Sequence, residues 1–249
     1  SVLTAGFKED SKEGAELEKQ LVAEAKKHNV RVIGPNCFGL LNIRNNVNAT
    51  FSHLKPEVGN MSIFSQSGAV GSSILDWSCA NGLGLSKFVT FGNKCDMDEA
   101  DLLPLLSEDP DTKVIGMYIE GISDGKAFVN AVENMPKRKP IVVFKSGKTA
   151  AGSKAASSHT GSLAGSDAVN SVIFKKLNIH RAMDMDEFYD ALSVFSTCSP
   201  MRKDGIAIIT NAGGLGVMSA DAAYNAPYIK AADLAPETIE GIKKALPNV

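Results

Sequence analysis

The feature that most constrains this chain is a series of short, nearly unbroken apolar runs, each followed by a stretch with helical spacing. Val30–Gly34 follows the helix-like Glu13–His28, and a second series runs through Met61–Phe64, Lys87–Phe91, Val114–Ile119 and Ile141–Phe144. Helical stretches lie near Ala69–Ala80, Glu99–Ser107, Gly125–Met135, Ser166–Leu177 and Asp186–Phe195. A strand that is apolar at every position is buried on both faces, whereas strict alternation would leave one face to water. Strands of this kind separated by helices predict an α/β fold, with parallel sheet covered by helices on both sides.

The series then restarts. Gly205–Thr210 reads as another buried strand, followed by Asn211-Ala212-Gly213-Gly214 and a helix into Ala223, much as Met61–Phe64 is followed by Ser65-Gln66-Ser67-Gly68 and a helix. Two units of strand, small-residue turn and helix suggest two related α/β domains, with Thr197–Lys203 and its Ser199-Pro200 as the linker. Residues 1–50 supply only strand, helix and strand, and the tail after Asp204 only strand, helix, short strand and helix. The chain, which starts at Ser1, is therefore expected to be a piece of a longer protein.

Charge narrows the function. Lys plus Arg number 26 against 28 Asp plus Glu, a net charge of −2 that exerts no long-range pull on a nucleic-acid backbone or an anionic membrane. Neither partner is expected, and no apolar run approaches the ~20 residues that span a bilayer. Cys37, Cys79, Cys95 and Cys198 are scattered without zinc-ligand spacing, so no metal site is expected; the reading is four reduced thiols of a cytoplasmic protein.

Two turns are candidates for anion binding. The first N–H groups of a helix lack intrahelical partners and carry the positive end of its dipole. At the first turn, Ser65, Gln66, Ser67 and Gly68 add hydroxyl donors and a close backbone approach. At the second, Asn211, Gly213 and Gly214 occupy the same place between strand and helix. Each turn taken alone is equally explained by helix capping and tight-turn geometry; their repetition favours an anion.

The segment after Ile141–Phe144, KSGKTAAGSKAASSHTGSLAGSD, consists almost wholly of small, hydroxylated and lysine residues, and carries His159. A packing histidine would have apolar neighbours; this one has Ser158, Thr160, Gly161 and Ser162. Imidazole is largely neutral and nucleophilic near pH 7, and a phosphorylated ring would need helix-end donors and cations such as Lys145 and Lys148. It also wants a carboxylate on its other nitrogen. Glu120, the first polar residue after Val114–Ile119, stands at the carboxyl end of a strand, where α/β sheets present ligands; a plain acid at a helix start is the alternative. His28, His53 and His180 lack comparable surroundings.

GPNCFGLLN at Gly34–Asn42, SQSGA at Ser65–Ala69, IEG at Ile119–Gly121, SHTGSLAGS at Ser158–Ser166 and TNAGGLGV at Thr210–Val217 occur in one order. In this they resemble the nucleoside-diphosphate-forming acyl-CoA synthetases, typified by ADP-forming acetyl-CoA synthetase and related to succinyl-CoA synthetase. The resemblance implies that residues 1–55 are the later part of a Rossmann-like CoA-binding domain, 58–198 a flavodoxin-like domain, and 203–249 the start of a second one. By motif, His159 is the phosphohistidine, Glu120 its partner, and Ser67 and Gly68 part of one phosphate site. Asn211, Gly213 and Gly214 belong to the other, and Asn36 and Cys37 lie near the thioester end of CoA. Acyl-CoA and phosphate would give an acyl phosphate, whose phosphoryl group passes to the histidine and then to ADP.

The substrates implied are coenzyme A, ADP or ATP, phosphate and a small carboxylic acid. Neither the ATP-grasp part, with its expected Mg2+, nor the glycine-rich first half of the CoA domain is in this sequence, so an ATP-grasp domain or subunit is expected as partner, within an oligomer. Phe38 stands where succinyl-CoA synthetase has proline, which points to the acetyl-CoA type. The synthetase-like, acetyl-CoA-sensing region of a protein lysine acetyltransferase is an alternative, as is a non-catalytic flavodoxin-like interaction module; an intact His159 and Glu120 favour the enzyme.

Overall fold

The computed structural model describes residues 1–149, 151–152, 166–201 and 205–246. They form two compact units, Ser1–Cys198 and Ser199–Val249. In the first, α1 (Lys12–Lys27) leads to β1 (Gly39–Asn42), β2 (Val47–Thr50), β3 (Val58–Ser65), α2 (Gly68–Ala80), β4 (Leu85–Thr90) and α3 (Glu99–Glu108). There follow β5 (Val114–Ile119), α4 (Gly125–Glu133), β6 (Ile141–Lys145), α5 (Asp167–Lys176), β7 (His180–Ala182) and α6 (Met185–Thr197).

The sheet runs β2-β1-β4-β3-β5-β6-β7. The five strands from β4 to β7 are parallel, and β1 with β2 extends the β4 edge antiparallel. Two apolar layers sandwich the sheet. Ile115, Met117, Val143 and Phe64 face Leu103, Phe128 and Phe174 of α3, α4 and α5. Ile63, Phe88 and Val142 face Ile74 and Leu75 of α2 and Phe188 and Leu192 of α6. Every residue of β5 is buried, as its unbroken apolar run demands. The fold is α/β, mostly parallel, with helices on both faces.

Helix starts follow their caps. Asp98 and Asp101 make a reciprocal capping box at α3, Asp124 caps α4 and Asp184 caps α6, each supplying an acceptor to an otherwise orphaned first-turn N–H.

Two expectations shorten. Val30–Gly34 forms no ladder: among its backbone bonds, the carbonyls of Ile33, Val32 and Gly34 accept singly from the N–H groups of Val2 (2.9 Å), Met97 (3.1 Å) and Cys95 (3.1 Å). In the second unit, β8 (Gly205–Ile206), α7 (Gly213–Asn225), β9 (Lys230–Ala231) and α8 (Pro236–Ala245) follow in order. There the strand expected over Gly205–Thr210 is two residues long, because β9 offers it only two partners. Among the described residues no helix is long and apolar enough to cross a membrane.

Candidate functional site

Counted from β3, the parallel strands lie in the order 2-1-3-4-5. The chain leaves β3 toward one edge of the sheet and leaves β5 toward the other, so a crevice opens where their carboxyl ends part. Ser65 and Tyr118 are paired at that point, and the Gln66 N–H reaches across to the Tyr118 carbonyl (3.1 Å). Above it lies a cavity of about 970 Å³.

One wall is the amino end of α2. Ser67 is its cap, accepting from the Val70 N–H at 3.3 Å and keeping its own hydroxyl hydrogen to donate. The N–H groups of Gly68 and Ala69 lie in the first turn, where a helix offers no acceptor, and Ser67, Gly68 and Ala69 all line the cavity. A helix end of this kind favours a nearby anion by ~0.3–1 kcal/mol when exposed and by up to ~2 when partly buried.

The facing wall comes from the loop before β1, where Asn36, Cys37 and Phe38 line the cavity. The Cys37 thiol is buried and donates to the Val2 carbonyl (3.3 Å). Phe38 meets Phe51 edge to face at 4.5 Å, which supplies an apolar flank. The loop after β4 closes against this wall at Gly92, whose φ is +53°. A Cβ there would come within 2.2 Å of the Pro35 and Asn36 carbonyl oxygens, so only glycine permits the approach.

Glu120 lines the cavity just beyond β5, with the Tyr118 hydroxyl 3.4 Å from its Oε1. Burial, and then the Glu120 charge, push the Tyr118 phenol above its ordinary range against a hydrogen bond with Ser146, so it stays protonated. Lys145 ends β6 and is 2% exposed, with its ammonium donating to the Ser146 carbonyl. Burial holds it below the usual lysine range, against the pull of Asp167 and Glu120. The Lys148 ammonium donates to the Met183 carbonyl and lies 5.5 Å from the Phe144 ring centroid.

Of the residues singled out by sequence, Asn36, Cys37, Gln66, Ser67, Gly68 and Glu120 share this one cavity. Ser65 is buried beneath it and spends its hydroxyl on the Ser67 carbonyl (2.6 Å). Gln66 spends its amide on the Glu120–Gly121 turn. Asn211, Gly213 and Gly214 belong to the second unit. There the Thr210 hydroxyl accepts from the Ala212 N–H (3.0 Å), no side chain caps α7, and the space a Cβ would take at Gly213 and Gly214 is open. His159 lies outside the described residues.

Sequence reasoning passed over Lys94. It lines the cavity, with φ +52°, and its ammonium meets Glu99 (3.1 Å) and the Gly121 carbonyl (2.8 Å). The rule that singled out Glu120 stops one residue short of it, since the first polar residue after Phe91 is Asn93, which lines the same cavity. Among the described residues no cluster of three or more His, Cys, Asp or Glu side chains is set to hold a metal ion.

Residues 58–195 match the succinyl-CoA ligase like flavodoxin domain. The chain is 45% identical over 248 residues to the ADP-forming acetate–CoA ligase of Methanocaldococcus jannaschii, covering 99% of this chain and 34% of that protein. It is 42% identical to subunit alpha of the ADP-forming acetate–CoA ligase II of Pyrococcus furiosus, covering 99% of this chain and 53% of that subunit. Its structure superposes on acetyl-coenzyme A synthetase 1 of Ca. Korarchaeum cryptofilum, in complex with phosphate and ADP, with a TM-score of 0.89 and 38% identity over 99% of this chain and 53% of that one. The chain thus spans a third to a half of the length of the proteins it matches.

Proposed function

Because the chain belongs to the family of the succinyl-CoA ligase like flavodoxin domain, we propose that it is part of an ADP-forming acid–CoA ligase, of the acetate–CoA type. The observation that carries this reading is the meeting of the α2 amino end, Glu120 and the Asn36–Cys37 loop in one cavity. Forming an acyl phosphate needs an anion site beside a thioester site, and passing its phosphoryl group to a histidine needs a carboxylate at hand to support the ring. Two relatives whose names give the same activity, at 45% and 42% identity, support it.

In this reading phosphate sits on the N–H groups of Gly68 and Ala69 and the Ser67 hydroxyl, and the thioester of acyl-CoA comes past Asn36 and Cys37. A phosphate oxygen attacks the acyl carbonyl, the CoA thiolate leaves, and acyl phosphate remains. The neutral ring of His159 takes the phosphoryl group and releases the carboxylate, while Glu120 holds the ring's other N–H and balances the charge that develops there. Phosphohistidine then passes its phosphoryl group to ADP. Asn211, Gly213 and Gly214 make the second phosphate-binding turn. ADP and its Mg2+ would be held by an ATP-grasp domain or subunit.

Residues 1–55 act as the later part of the CoA-binding domain, 58–198 carry the phosphohistidine, and 203–249 begin the second flavodoxin-like domain. The whole enzyme works in the cytoplasm as an oligomer; the free thiols of Cys37, Cys79, Cys95 and Cys198 suit a reducing compartment. The test uses full-length enzyme with labelled ATP. An acid-labile, base-stable phosphoprotein is expected, absent in His159→Ala and formed at least ~10-fold more slowly in Glu120→Gln. Label retained in His159→Ala would defeat the assignment.

A further inference from the structure

We propose that Gln66 is a positioning residue whose side-chain amide sets where the Glu120 carboxylate stands; this rests on the role given to Glu120 above. β5 ends at Ile119, and beyond it the turn is no longer held by a full ladder. On the β6 side one bond persists, from the Ser146 N–H to the Ile119 carbonyl (2.9 Å). On the other side β3 has ended at Ser65, and the next residue, Gln66, continues the pairing with its side chain. Its Oε1 accepts from the N–H groups of both Glu120 (2.6 Å) and Gly121 (2.9 Å). Its Nε2 donates to the Gly121 carbonyl (2.6 Å) and to the Glu99 carboxylate.

Lys94 grips the same Gly121 carbonyl from the β4 side (2.8 Å) and pairs with the same Glu99, which is 2% exposed. The turn that carries Glu120 is therefore clasped by an amide and an ammonium that share one buried carboxylate. Only an amide can do what Gln66 does here, accepting from two N–H groups with one end while donating to a carbonyl and a carboxylate with the other. Glutamate would lose both donors and bring a second carboxylate against Glu99. Methionine would keep the volume and lose every bond.

The experiment is a double-mutant cycle on the full-length enzyme, with acetyl-CoA, ADP and inorganic phosphate as substrates. Gln66→Met is expected to lower kcat at least ~10-fold with the KM for phosphate changed less than about 3-fold, the pattern of a group that acts in the transition state. In the Glu120→Gln background the same substitution is expected to cost less than about 2-fold, because its effect runs through a carboxylate already removed. An equal loss in both backgrounds overturns the proposal while leaving Glu120's own role intact. A normal rate in Glu120→Gln alone removes that role first, and the proposal with it. Should Gln66→Met fail to fold, Gln66→Asn keeps donor and acceptor but withdraws them by one methylene, and the same non-additivity decides.

Discussion

The Lys94 ammonium lies 3.1 Å from the Glu99 carboxylate, with 10% and 2% of the two side chains exposed. Buried ion pairs recover little more than their desolvation cost, yet breaking one strands a charge. Lys94→Met is therefore expected to destabilise the protein by about 3–5 kcal/mol. The position of Glu99 in the first turn of α3 and its bond from Gln66 favour the low end. Adding Glu99→Gln removes the stranded charge and should restore most of the loss. Urea denaturation of the parent and the two variants checks both steps; equal stability of the single and double variants would show that the loss does not come from a stranded Glu99 charge.

Gly68 and Gly71, three residues apart on α2, should respond oppositely to alanine. A Cβ at Gly68 would meet Phe38 at 3.5 Å, an ordinary contact, whereas at Gly71 it would lie 2.9 Å from Thr90 Cγ2 and 3.1 Å from Phe88 Cζ and Ser65 Cβ. Gly68→Ala is expected to leave stability unchanged or slightly raised, by up to ~1 kcal/mol from helix propensity. By crowding the helix end that faces the cavity, it should raise the KM for phosphate several-fold. Gly71→Ala is expected to cost about 1–3 kcal/mol by overpacking. A wild-type phosphate KM in Gly68→Ala would argue that the turn only caps its helix.

Much of the sheet was legible because β5 is buried throughout and β6 is apolar up to Phe144, while the later part of β3, Met61–Ser65, is buried at every position. β1 and β2 were not. Gly39–Asn42 and Val47–Thr50 are four residues each, and β2 is largely exposed, so neither carries a period. At the site, Ser67, Gly68 and Glu120 could be read from their positions at strand and helix ends. The use Gln66 makes of its side chain could not, because it depends on β3 and β5 ending side by side, and those residues are 54 apart in the chain.

Asp109 makes stability depend on acid. Burial pushes its carboxyl up, but the Lys87 ammonium (2.5 Å) and the Thr112 hydroxyl outweigh that and hold it below the ordinary aspartate value. Thr112 in turn joins Ser62 (2.8 Å) and Ser86 (3.1 Å) in a buried hydroxyl cluster between the strands. A carboxyl depressed in the folded state contributes stability that is complete above its unfolded value of about 3.9 and disappears as pH falls through the folded one. Asp109→Asn should thus be less stable than the parent at pH 7, with the gap closing below about pH 4. A gap that stays constant down to pH 3 would place the cost in lost hydrogen bonds alone.

Lys145 should show function retained at a cost in stability. It is 2% exposed, and burial depresses its ammonium while Arg181 adds a like charge. Removing it does not strand Asp167, which keeps Arg181 as its ion-pair partner (2.5 Å). Replacing a buried charge by an apolar side chain of similar length is often neutral or favourable when no partner is orphaned. Lys145→Met is accordingly expected to match or exceed the parent in stability at pH 7, by up to about 2 kcal/mol. The advantage should shrink as pH rises toward about 10.4, since the folded parent gives up its proton before the unfolded chain does. If the ammonium serves as a counter-charge to phosphate beside Glu120, phosphorylation from labelled ATP should fall at least ~10-fold in the same variant. A stable variant with an unchanged phosphorylation rate would leave the buried charge without a part in the chemistry, and one that unfolds at pH 7 would make Lys145 structural.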